Sequence, residues 1–206
     1  MKINFIYTVL LICVISISCN DKKTKSNIDK KVVGKNILLK GWKEYNSDKI
    51  KINLPNYWNP ISIDKALLYV PISDKFDIYF VVLRYTTKQI KSNDYIKKIF
   101  DEVSKKDLKF NYNLKKIYFK NTNTCYYLEF FTKEGNIEYK IYSVIYEFDN
   151  QIYDFSFKTL NDEKMNIKNY QTFFSVIFSF EYRYDNIIDA EKFIIDKEEV
   201  LKYENL

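Results

Sequence analysis

No histidine occurs anywhere in the 206 residues. That absence removes the imidazole base of Ser-His-Asp and Cys-His nucleophile systems, and with it every histidine-ligated metal site. Glycine is almost as scarce. Gly34, Gly41 and Gly135 stand singly and far apart, so neither a P-loop nor a dinucleotide-binding fingerprint can be assembled. Cysteine occurs at positions 13, 19 and 125 only. Cys125 lies between Thr124 and Tyr126 and has no positive neighbour in sequence to stabilise a thiolate. Arginine is nearly missing too: Arg84 and Arg183 are the only two in a basic total of 33. Base recognition favours arginine forks, so the net charge of +6 reads as solvated lysine in a chain of AT-rich coding bias, with no nucleic-acid partner. Carboxylate chemistry, such as a paired-acid hydrolase, survives these exclusions. The many Asp and Glu residues single out no pair. The expectation is a protein that is not an enzyme, with no catalytic residue, cofactor or metal.

The front of the chain carries the sharpest local signal. After Met1-Lys2, residues 5–17 are apolar except for Thr8 and Ser16. This run is shorter than the roughly 20 residues a membrane helix needs. It has the layout of a secretory signal, with a basic start, an apolar core and small residues at the cut. Ser16-Ile17-Ser18 before Cys19 resembles a bacterial lipobox, in which the processed cysteine becomes the diacylated first residue. The lipobox prefers an aliphatic residue where Ser16 stands, and Ser16 with Ser18 also suits ordinary signal peptidase. Both readings cut at the same bond and differ in whether Cys19 carries lipid. We read residues 1–18 as signal peptide and Cys19 as the lipidation site. Cys125 is then left without a partner for an intrachain disulfide. A Cys19–Cys125 bridge is the alternative, and it would have to close a flexible tether onto a strand.

Residues 20–36 hold six lysines against two aspartates and complete, with Cys19, a flexible basic tether at 19–36. Its lysines suit a soluble spacer or contact with anionic headgroups. A single domain is expected over 37–183. Gly41 to Pro60 reads as a strand, a turn at Asn46-Ser47-Asp48, a second strand ending at Leu54, and a corner held irregular by Pro55 and Pro60. Two strands follow, "ALLYVPI" and "FDIYFVVLRY", the second apolar on both faces and so covered on both. Ser92 to Ser104 places Tyr95, Ile96, Ile99, Phe100 and Val103 on one helical stripe, with Ser92 as cap. Leu108, Phe110, Tyr112 and Leu114 alternate as a strand whose pattern breaks at Lys115-Lys116, as a bulge would. Strands at 125–131, 137–148 and 151–160 form a meander turning at Glu134-Gly135-Asn136 and Asp149-Asn150. A second helix starts at Asn161-Asp162-Glu163, with Asn161 as cap and Tyr170, Phe173, Phe174 and Ile177 as its buried stripe. Residues 184–206 form an acidic tail. From Asp185 on it has seven acids against three lysines and no strand signal. Ile187, Ala190, Ile194 and Leu201 are placed for one face of a helix, and self-docking that buries Ile187, Ile194 and Leu201 is expected.

This order of elements, with "INLPNYWNP" and the helix end from Phe174 to Phe180, resembles the PsbP-like domain. That domain is shared by the photosystem II extrinsic protein, a Ran-binding nuclear import factor and bacterial DcrB-type lipoproteins. Ile52, Leu54, Pro55 and Trp58 match its strand and P-x-x-W opening. Tyr57 stands where the family often has glycine. The resemblance covers residues 37–183 and rests on core and corner positions. It implies an α+β fold, an α/β/α sandwich around a single antiparallel sheet of six or seven strands, and a role in binding other proteins. It brings no active site with it.

The aromatic residues are core at strand and helix spacing. A stacking cleft at Trp42 and Trp58, a haem on Met165 and tyrosine, and calcium at Asp162-Glu163 or Asp185-Asp189 are weaker readings. The sequence therefore points to a lipoprotein of the bacterial cell envelope, anchored by lipid on Cys19. It would act as an accessory or inhibitory subunit for another envelope protein. A carrier of a small apolar ligand and a carboxylate-dependent hydrolase are the alternatives, each with its own requirement: a pocket between layers, or two acids converging in a cleft.

Overall fold

A computed structural model describes residues 39–64, 66–73, 78–105, 111–121, 123–189 and 194–206. The expected signal peptide at 1–18, and Cys19 with its tether at 19–36, lie outside the described residues. The strands are β1 (Trp42–Asn46), β2 (Ile50–Pro55), β3 (Ala66–Ser73), β4 (Ile78–Thr86), β5 (Tyr112–Phe119), β6 (Thr124–Glu134), β7 (Ile137–Phe148), β8 (Gln151–Leu160), β9 (Glu181–Tyr182), β10 (Asp185–Asn186) and β11 (Ile195–Leu201). Helix α1 (Ser92–Ser104) separates β4 from β5, α2 (Glu163–Phe178) separates β8 from β9, and a 3-10 turn at Tyr203–Asn205 follows β11. Among the described residues no helix is long and apolar enough to cross a membrane.

Seven strands form one antiparallel sheet in the order β11-β5-β6-β7-β8-β4-β3. Side chains alternate across a strand, and β8 shows how that parity builds two layers. Ile152 points into a cluster with Tyr95, Ile96 and Phe100 of α1 and with Leu114, Leu128, Ile141 and Ile145 of the sheet. Phe157, of opposite parity, meets Phe173 of α2, Tyr142 and Trp58. The result is a helix on each face, the α+β sandwich expected. The opening hairpin departs from that expectation. β1 and β2 leave the main sheet and pair with β9 and β10 in a separate four-stranded sheet, β1-β2-β9-β10.

Four local expectations are corrected. Lys115-Lys116 makes no bulge, because β5 pairs β6 in unbroken register from Tyr112↔Phe130 to Tyr118↔Thr124. The pattern changes because β5 is covered on both faces: Leu114 is buried on one, and Ile117 and Phe119 on the other. Ser92 does not cap α1. Lys91 is the cap residue and makes no side-chain cap bond, while the Ser92 hydroxyl donates to Glu147. Asn161 does not cap α2 either: the helix starts at Glu163, and Asp162 holds the cap position with its carbonyl accepting from the Met165 and Asn166 N–H groups. The Asn161 amide donates to Glu138. The largest correction is the acidic tail. Its described part carries strands β10 and β11 and no α-helix, and Ala190 of the expected helical face lies outside the described residues. The tail belongs with the rest of the domain in one compact unit, Gly34–Leu206. Ile187 and Ile188 are buried and β11 pairs β5 from Leu201↔Leu114 to Ile195↔Phe119. Ile194 stays exposed, so self-docking is achieved by strand pairing and by Ile187.

Candidate functional site

The corner after β2 is built by two prolines and one tryptophan. Pro55 ends the strand, and the Trp58 backbone N–H closes a turn onto its carbonyl at 2.9 Å. The Trp58 side chain, 1% exposed, lies against Phe80 at 5.9 Å and Phe157 at 5.6 Å between ring centroids. Its indole N–H finds no acceptor among the described residues. Ring packing alone therefore holds it. Turning Trp58 inward sends Tyr57 outward, 64% exposed, and Ile61 and Ile63 are exposed beyond it. The Ile61 N–H bonds the Tyr69 carbonyl at 2.9 Å, a single bridge to β3. Because β3 ends the sheet, this apolar corner sits beside a strand edge, part of it taken by the Ile61 bridge, and a sheet edge is a template for another chain. The sequence reading named Tyr57 only as a departure from the family pattern and did not single out Ile61 or Ile63. Their signal was an apolar pair two apart, Ile61 and Ile63, just after Pro60 and too short to read as a strand.

A second concavity opens at the start of α1. It is a groove of about 720 Å³ lined by Lys91, Asn93, Asp94 and Lys97 of the helix and by Lys116, Tyr126 and Glu147 of the sheet, among others. The Tyr126 hydroxyl donates to Asn93 Oδ1 at 2.6 Å. Lys116 lies 5.7 Å from the Tyr126 ring centroid and 5.1 Å from that of Tyr118. Burial opposes its charge, yet the two phenols hold its ammonium above the ordinary range. Two carboxylates line this groove, and its lining is mostly polar. The space between α1 and the sheet beside it is filled by Ile96, Phe100, Leu128 and Ile152.

Inside, the polar groups are tied to one another. Asp154, 3% exposed, accepts from the Ser143 and Ser156 hydroxyls, both at 2.6 Å, and from Tyr95 of α1. Burial pushes its carboxyl above the usual range, and the three hydroxyls offset part of that push. Lys158 is buried against Tyr139, 4.1 Å from its ring centroid, and pairs with Glu134 at 2.7 Å. Burial, aided by Glu198, pushes the Cys125 thiol up to about 12, so it is not a nucleophile at neutral pH. Trp42 is half-buried and Met165 exposed. Among the described residues no group of three or more Cys, Asp or Glu side chains is placed to hold a metal ion. Asp162 precedes α2 and Asp185 lies in β10.

No family model matches the chain, and no curated protein matches it in sequence. Solved structures do. The solution structure of cyanobacterial PsbP (CyanoP) from Synechocystis sp. PCC 6803 aligns with a TM-score of 0.51 at 14% identity, over 71% of this chain and 94% of that one. A crystal structure from Bacteroides thetaiotaomicron aligns with a TM-score of 0.39 at 16% identity, over 65% of this chain and 45% of its own. The domain has the PsbP-like fold.

Proposed function

We propose that this is a non-enzymatic protein of the bacterial cell envelope, held to a membrane by lipid on Cys19. It binds another envelope protein as an accessory or inhibitory subunit. The observation that carries the reading is the exposed corner of Tyr57, Ile61 and Ile63 beside the open edge of β3. Exposed apolar groups grouped in this way mark interaction surfaces, and an open edge adds backbone hydrogen bonds to an incoming strand. The filled space under α1 supports a binding surface over a carrier of apolar ligands.

Two experiments test it. Full-length protein should partition into the detergent phase and Cys19→Ser should not, because dual acylation anchors far more strongly than the tether's lysines. A Cys19→Ser protein that stays in the detergent phase overturns the anchor. A photo-crosslinker at position 57 of membrane-bound protein should trap a discrete partner band. Tyr57→Asp with Ile61→Asp should abolish capture of that partner while leaving the melting temperature within a few degrees. Undiminished capture by the double variant overturns the corner as the binding surface.

A further inference from the structure

The only two arginines of the chain, 99 positions apart, are brought to one tyrosine. The Arg84 Nη1 donates to the Tyr182 hydroxyl, with its guanidinium carbon 5.0 Å from the ring centroid. The Arg183 guanidinium carbon lies 5.4 Å from the same centroid. Neither guanidinium forms an ion pair among the described residues. Asp185, opposite Tyr182 across the hairpin, and Asp149, whose charge bears on Tyr153 beside Arg84, make no ion pair with either. With no ion-pair partner among the described residues, both exposed guanidiniums keep donors for an incoming oxyanion.

The backbone of the same turn is unusual. Arg183 and Tyr184 connect β9 to β10 with φ of 52° and 72°, the signature of a type I′ hairpin. The turn between β7 and β8 has the same sign of φ, at 47° and 55°, and uses Asp149 and Asn150, which tolerate the left-handed region. Arginine and tyrosine tolerate it poorly, and such strain concentrates where it positions side chains for use. Here it displays Tyr184, 94% exposed. The turn is fixed from below by the Arg183 N–H bond to the Lys49 carbonyl, at 2.8 Å. That contact places it by the start of β2, at the opposite end of the strand from the Tyr57 corner.

We propose that Arg84, Arg183 and Tyr184 form a docking site for an acidic, extended segment of a partner protein. The guanidiniums take its carboxylates and the Tyr184 ring takes a neighbouring apolar group. Arginine's planar fork matches a carboxylate bidentately where lysine offers a point charge. Arginine and tyrosine are also the residue types that dominate binding energy at protein interfaces. No wall encloses Tyr184, which suits a macromolecular contact over a small-molecule pocket.

The test uses the two arginine Nε–Hε signals of the ¹⁵N-labelled protein. A synthetic hexaglutamate peptide should shift both signals saturably, and a hexalysine peptide neither. Arg183→Lys and Arg84→Lys should each weaken hexaglutamate binding about tenfold while keeping the positive charge. Tyr184→Ala should leave hexaglutamate binding within about twofold, and should weaken a glutamate peptide carrying one leucine more than hexaglutamate. Inorganic phosphate is titrated separately. Unmoved arginine signals, wild-type affinity in both lysine variants, or phosphate saturating the site as well as the peptide would each overturn the proposal. Tyr57→Asp with Ile61→Asp leaves this titration unchanged, so the corner and the arginine site fail or stand separately.

Discussion

The two faces of the seven-stranded sheet are covered by different mixtures of rings, aliphatic side chains and polar groups. On the α2 side the contact is ring on ring: Trp58, Phe80, Tyr142, Phe157 and Phe173 meet at centroid distances of 5.6–6.3 Å. On the α1 side the cluster mixes the rings of Tyr95, Phe100, Tyr126 and Phe130 with the aliphatic Ile96, Leu114, Leu128, Ile141, Ile145 and Ile152, and beside it lies the polar hub of Asp154. Large flat side chains fill space in few ways, so the aromatic face fixes its helix by shape. Branched aliphatic side chains fit in more ways, and there Tyr95 ties α1 to the sheet by a directional bond to Asp154. Both faces depend on volume, and α1 adds bonds to the sheet through Tyr95 to Asp154, Tyr126 to Asn93 and Ser92 to Glu147, where α2 has Asn169 donating to Thr159.

The largest effect should come from the aromatic face. Trp58→Ala empties a fully enclosed site touched by three rings and should cost about 3–5 kcal/mol in urea unfolding. Ile96→Ala, on the other face, should cost less, toward the lower part of about 2–5 kcal/mol. A reversed order would break the contrast between the faces.

Asp154 sharpens it. Asp154→Ala strands the hydroxyls of Tyr95, Ser143 and Ser156 and should cost about 1–3 kcal/mol for lost acceptors. Asp154→Asn should cost less, because the amide oxygen still accepts. The pH dependence has a definite sign. The folded carboxyl titrates above its unfolded value, so the folded state binds this proton more tightly. The linked stability is present at low pH and lost as pH rises through the folded value. Melting of the wild type relative to Asp154→Asn should therefore improve as pH is lowered from 7. A difference that is flat or worsens would remove the burial cost assigned to this carboxylate.

The smallest effect concerns Cys125, buried on the α2 side of β6. With its thiol pushed up to about 12, it should resist thiol reagents at pH 8 and react only as the domain opens. Labelling should be faster in Trp58→Ala, following the opened population. Fast labelling of the folded wild type would mean that this face is looser than its ring packing implies.

Much of the main sheet was legible because its strands are long and apolar. β4, β7 and β8 bury residues on both faces, and a buried strand announces itself in composition. The hairpins were legible from Gly135 and from Asp149-Asn150, residues suited to positive φ. β11 was not. "IDKEEVL" buries little and carries charge on both parities, as an edge strand does to deter further pairing, and its partner β5 lies far away in sequence. Its pairing is set by Lys115 meeting Glu198 at 3.0 Å and by the Tyr118 hydroxyl donating to Glu199, contacts no local pattern shows. The corner was legible as a corner, through Pro55, Trp58 and Pro60. Its outward residues were not, because exposure at an irregular turn has no period. The convergence of Arg84 and Arg183 was equally hidden, since it depends on β9 crossing to β2 and on the side chains that meet there.

The pairing of β5 with β11 also sets an order of events. During synthesis β5 emerges long before β11, and at roughly 5–20 residues per second its outer edge waits several seconds for its partner. For that interval a nascent sheet offers a bare edge to any other chain with a strand to add. Lys115 and Lys116 sit in the middle of that waiting edge. Before Glu198 arrives to neutralise one of them, their adjacent charges discourage the wrong neighbour. The pair that broke the sequence pattern thus acts as a gatekeeper for an incomplete chain, and part of it becomes an ion-paired seam once the sheet is closed.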